Sequence, residues 1–172
     1  MSIPAQDGNS PHVLGDLIAD IEQSHHAFTR NALAHIGKLF EDNADGSVWN
    51  SPLLQVCFDE LQADLIPHLM KEERILFPYV IALENDPAHL PHSCFGSVAN
   101  PIHMMKIEHD RVKVLLAKLR ALTSNYAVSA NAKTNALYMA LSALDRDLEQ
   151  HIKTEDEVLF PRALQLERAS TA

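Results

Sequence analysis

The chain has 172 residues, enough for one domain around a single buried core. Its 23 acidic against 14 basic residues give a formal net charge of −9, and no basic stripe offsets it, which argues against nucleic acid as the main partner. No apolar run approaches the roughly 18 residues of a membrane span, and no charged-then-apolar leader opens the chain, so no membrane association and a cytoplasmic location are expected.

The chain is read as a flexible tail over 1–10 followed by a four-helix bundle over 11–168, an all-α up-down fold. Glycine is scarce inside the periodic segments, and runs of Leu, Ala, Glu and Lys favour helix. The first helix is placed at 11–41, after Asn9-Ser10-Pro11; the second at 52–84, after Asn50-Ser51-Pro52; the third at 101–124, after Ala99-Asn100-Pro101. In each, an N-cap residue precedes a proline suited to the first helical position. The fourth, over 131–166, starts near Ser129 or Asn131. Turn-forming residues fill the gaps, including the longer crossing Asn85–Asn100, a candidate surface for a protein partner. Cys57 and Cys94 form no C-x-x-C and read as two reduced thiols, one helical and one in a loop.

Polar residues interrupt the apolar stripes at matching places. On the fourth helix Leu137, Leu141, Leu144 and Leu148 lead to His151, Glu155 and Val158. On the second, Leu54, Phe58, Leu61 and Leu65 lead to His68, Glu72, Ile75 and Tyr79. The third carries His109 on the stripe Ile102, Met105, Val112, Leu116 and Leu119. Burying such groups unpaired costs several kcal/mol, so they pair with one another or bind metal. The segments His68–Pro78 and His151–Pro161 both read H-x-x-x-E-[ED]-x-x-L-F-P. Residues four apart share a helix face, so two facing copies supply two imidazoles and two carboxylates to a two-metal site. Mixed His/Glu donors suit iron, manganese or zinc.

On the first helix the stripe Leu14, Ile18, Ile21, Phe28 and Ala32 places His25 at its centre, with His26 about 100° away. Counting between motifs selects His26, because His26 to His68 and His109 to His151 are both 42 residues apart. Both remain candidates, His25 also as a partner supporting a ligand. His35 and His103 fall off the inward face, and His12, His89 and His92 lie in tail or loop. Glu108 is either a support for the site or an exposed charge. Met104 and Met105 read as core, and the Leu-Phe-Pro ends as kinks.

The stretches His25–Arg30, His68–Pro78, Pro101–Asp110 and His151–Pro161 together resemble the hemerythrin-like family, in particular the bacterial Repair of Iron Centres proteins of nitrosative stress. The resemblance spans nearly the whole chain after the tail. It implies a non-haem di-iron centre of two iron ions bridged by Glu72 and Glu155. His68, His109, His151 and one histidine of the first helix would be terminal ligands, and nitric oxide or dioxygen the small ligand. The implied role is stress response or iron–sulfur cluster repair, with dioxygen carriage or sensing as the alternative. Two departures stand out. The histidine expected near the end of the first helix is replaced by Glu41-Asp42-Asn43-Ala44-Asp45, where an acidic residue could substitute or one metal could keep an open position. The family's cysteine-bearing N-terminal domain has no counterpart in these residues.

Overall fold

The computed structural model describes residues 14–42, 52–91 and 94–170. Four helices form the bundle. Helix α1 runs Leu14–Asp20, passes through a π-helical turn at Ile21–His26 and continues over Ala27–Glu41. Helix α2 runs Pro52–Lys71, widens into a π turn at Glu72–Leu76 and continues over Phe77–Asn85. Helix α3 is an uninterrupted α-helix over Ala99–Leu122. Helix α4 runs Ala132–Thr154, takes a π turn at Glu155–Leu159 and ends with Phe160–Ser170. Helix α2 packs chiefly on α3, and α1 on α4.

Helix ends explain most differences from the expected boundaries. The start predicted around Asn9-Ser10-Pro11 lies outside the described residues. At the first described turn of α1, Glu84 accepts hydrogen bonds from the Leu14 and Gly15 backbone N–H groups at 2.7 and 3.0 Å. Helix α3 begins two residues before the predicted Pro101, because Glu167 accepts from Val98 N–H at 2.7 Å and from the Ser97 hydroxyl at 2.6 Å. A carboxylate at a helix N-terminus satisfies orphan donors and complements the dipole. Asn131 caps α4 as expected, accepting from Lys133 and Thr134 N–H. Between α3 and α4, Ser124, Asn125 and Tyr126 all have φ between 51 and 59°, a conformation costly for non-glycine residues. Tyr126 offsets part of this by donating its hydroxyl to buried Asp145 at 2.6 Å, which also accepts from Arg120 Nε at 2.7 Å.

The core divides into two apolar clusters. One, built around Leu33, Phe40, Phe58, Leu61, Leu116 and Leu144, fills the bundle toward the α1–α2 and α3–α4 connections. The other, around Ile18, Ile21, Phe77, Val80, Met105 and Phe160, fills the opposite end. Each fully buried leucine or phenylalanine contributes about 1.5–3 kcal/mol. The polar residues singled out above lie in the layer between.

The π turns correct three assignments on the inward faces. Phe28, Ile75 and Val158 are 38, 48 and 40 % exposed, whereas Leu76, Phe77, Leu159 and Phe160 are buried. A π turn holds one more residue than an α turn, so the inward face moves by one residue beyond it. On α2 and α4 the turn directly precedes Phe-Pro. Pro78 and Pro161 have no N–H and their rings crowd the preceding turn, which a wider ring of the helix accommodates. Met105 is buried as expected, but Met104 is half exposed. Cys57 is buried and Cys94 exposed, and both are free thiols.

Candidate metal centre

The middle layer brings six of the seven sequence candidates together. His26, Glu72, His151 and Glu155 form one quartet; His68, Glu72, His109 and Glu155 form the other. Within each quartet the donor atoms all lie within 4.8 Å of one another, and Glu72 and Glu155 belong to both. All six side chains are buried, none more than 2 % exposed.

Each carboxylate turns one oxygen to each quartet. Glu72 Oε2 lies 3.4 Å from His26 Nε2, and Oε1 lies 3.3 Å from His68 Nε2. Glu155 Oε1 lies 3.1 Å from His151 Nε2, and Oε2 lies 3.1 Å from His109 Nε2. Both oxygens of both carboxylates, with Nε2 of His26, His109 and His151, are buried without a hydrogen-bond partner. Leaving so many buried polar atoms unsatisfied costs about 1–3 kcal/mol each. Two donors bound about 2.1 Å from one ion are separated by about 3.0–3.4 Å at octahedral to tetrahedral angles. The observed spacings fit that geometry, so the donor set suits two cations sharing two carboxylates.

Three imidazoles are held from behind by carboxylates. His26 Nδ1 lies 2.8 Å from Glu73, His68 Nδ1 2.9 Å from Glu108, and His109 Nδ1 3.0 Å from Asp156. An ionised carboxylate only accepts, so each Nδ1 carries the proton and each Nε2 presents its lone pair inward. A cation steadies each acid in turn: Arg30 on Glu73 at 2.8 Å, Lys71 on Glu108, and Lys113 on Asp156 at 3.3 Å. Sequence reasoning assigned no role to Glu73 or Asp156. Their signal was the second acid of the repeated H-x-x-x-E-[ED] motif.

Burial and the facing Glu155 charge hold the Glu72 carboxyl well above the ordinary range. Burial pushes Glu155 the same way, but His151 and His109 beside it bring it below that range. Burial also pushes His26 and His68 down to about 4, against the pull of Glu73 and Glu108. His109 is likewise buried, yet Asp156 and Glu155 raise it. Without cations the Glu72 carboxyl therefore holds its proton more readily than an ordinary carboxylate, and His109 takes up a second proton more readily than a free imidazole; cations would displace both.

His25 falls outside both quartets. Its Nδ1 lies 2.9 Å from Asp147, and its ring stacks on His151 at 5.4 Å between centroids and 4° between planes. The straight-helix reading that centred His25 on the α1 stripe fails because of the π turn at Ile21–His26: the buried series is Leu14, Ile18, Ile21, His26, Thr29, Leu33. Glu41 and Asp42 are exposed at the end of α1 and enter neither quartet. Asn43, Ala44 and Asp45 lie outside the described residues.

The profile of the Hemerythrin HHE cation binding domain matches residues 16–163. The chain belongs to that family. In this hemerythrin-family chain the His/Glu cluster is a set of donors that could hold metal ions, and all four helices contribute to it. Among its relatives, the iron–sulfur cluster repair protein YtfE of Edwardsiella ictaluri is 40 % identical over 108 residues, covering 62 % of this chain and 44 % of that protein. YtfE of Escherichia coli is 38 % identical over 107 residues, covering 60 % and 44 %. A probable iron–sulfur cluster repair protein of Haemophilus influenzae is 35 % identical over 108 residues, covering 62 % and 44 %. The matched segment thus spans less than half the length of these relatives. No helix among the described residues is long and apolar enough to cross a membrane.

Proposed function

We propose that the chain holds a non-haem di-iron centre that takes nitric oxide or dioxygen and serves iron–sulfur cluster repair in nitrosative or oxidative stress. One observation carries the reading: two buried quartets share Glu72 and Glu155, each carboxylate aiming one oxygen at each set of histidines. In this reading His26 and His151 would hold one ion, His68 and His109 the other, with Glu72 and Glu155 available to both. A ferrous pair, when bound, supplies redox-active Lewis-acid positions for a diatomic ligand.

The protein's own residues set the conditions. Apolar clusters above and below exclude bulk water, and near-complete burial of the donors favours ligands of two or three atoms over larger substrates. Glu73, Glu108 and Asp156 fix three imidazoles in one tautomer, so little rearrangement accompanies ion uptake. Two histidines and two shared carboxylates would hold each ion, a donor set small enough to leave room for an external ligand. The repair role is supported by the names of the relatives, which are longer than the matched segment.

The test adds anaerobically iron-loaded full chain to an iron–sulfur protein bleached by nitric oxide and follows return of the cluster absorption. The reading expects recovery with the natural chain and none with Glu155→Ala. Absence of recovery, together with a reversible optical change under oxygen, would favour a dioxygen carrier or sensor instead.

A further inference from the structure

The two halves of the bundle are related by a constant step. From Leu54, Phe58, Leu61 and Leu65 on α2, adding 83 gives Leu137, Leu141, Leu144 and Leu148 on α4. The same step takes His26 to His109, His68 to His151, Glu72 to Glu155 and Glu73 to Asp156. Glu84 likewise goes to Glu167, and these two carboxylates cap α1 and α3 alike. Exchanging the halves exchanges the two quartets. Among the described residues the match breaks behind His151.

Residue 108 corresponds to residue 25. Glu108 accepts from His68 Nδ1–H, whereas His25 lies flat on His151, and His151 Nδ1 is buried without a hydrogen-bond partner. The neighbours change in concert. Lys71, which holds Glu108, is matched by Thr154; Arg111, 2.6 Å from Asp64, is matched by Phe28. Asp147 keeps the place of Asp64 but takes His25 as its partner. The backbone differs too. From Leu14 to His26 is one residue longer than from Val98 to His109, and α1 absorbs that residue in a π turn while α3 stays α-helical.

We infer that the His25-for-Glu108 exchange makes the two metal positions unequal, with the His26/His151 position the weaker and more exchangeable. The inference rests on the metal-centre reading above. A carboxylate behind a ligating imidazole fixes its ring and tautomer and raises its basicity; losing such a partner lowers metal affinity by about 10–100-fold. His68, His26 and His109 have that support and His151 does not. The exchangeable ion would therefore be held on the side of His25 and Asp147, at the partly exposed edge between α1 and α4.

The test titrates cobalt(II) into the metal-free full chain against a competing chelator, reading the visible d–d bands for two stepwise affinities. Repulsion between neighbouring cations separates the steps in any such centre, so the change in separation between variants is the decisive quantity. His25→Glu restores the missing carboxylate and is expected to tighten the weaker step about tenfold or more, leaving the tighter step in place. Glu108→Gln is expected to weaken the tighter step and narrow the gap from the other side. An unchanged separation in His25→Glu, with helicity intact, overturns the inference while the metal centre stands. Failure of the natural chain to bind cobalt at all overturns both.

Discussion

The His68/His109 side and the His26/His151 side of the centre use the same residue types at the same register, yet one is fully supported and the other is not. On the first, every ligand nitrogen has a carboxylate behind it: Glu108 for His68 and Asp156 for His109. On the second, Glu73 supports His26, but His151 has only the stacked ring of His25. Both sides have equally buried donors and share the same two glutamates. The difference teaches that donor sets alike in residue type and burial can differ in the groups that hold them.

Removing a shared ligand should affect both sides at once. Glu155→Ala is expected to take metal content from two ions per chain to near zero by elemental analysis, and retention of a full ion would contradict the sharing. A ligand belonging to one side should cost less. His68→Ala and His151→Ala are each expected to leave about one ion, and the residual ion in His151→Ala should be the tighter one.

Outer carboxylates come next. Asp156→Asn and Glu73→Gln should each lower affinity at one position by about 10–100-fold, measured by chelator competition, with similar size because the two occupy equivalent places. Acid should act most gradually. Glu72 and His109 are both raised, so the metal-free protein binds their protons where the loaded protein cannot. Affinity should therefore fall as pH falls toward and through these raised values, about tenfold per pH unit for each proton displaced. Loading in weakly buffered solution should release protons. His26 and His68, near 4, remain neutral until stronger acid and should add to the loss only there. An affinity that stays constant on acidification from neutral pH would show that neither Glu72 nor His109 gives up a proton.

Much of this arrangement was legible in the sequence. The repeated H-x-x-x-E motif, placed where leucine stripes require apolar residues, identified His68, Glu72, His151 and Glu155, and the α3 stripe added His109. Helix periodicity also located the helix ends that fall among the described residues to within a few residues, where Pro52 and Asn131 mark the starts of α2 and α4. Long-range capping could not be read that way: Glu167 starts α3 early from a distant helix. The π turns were equally hidden, because periodicity assumes 3.6 residues per turn throughout. That assumption centred His25 instead of His26 and buried Ile75 and Val158 on paper. An 83-residue comparison of the halves reveals the extra residue in α1, but only after the structure shows which histidines correspond.

Metal stoichiometry of the full chain, loaded anaerobically with iron and freed of excess by gel filtration, tests the central claim most directly. The account predicts two irons per chain in the natural protein and near zero in Glu155→Ala at unchanged helicity. A chain that retains no iron, or whose iron content is the same in Glu155→Ala, would contradict it.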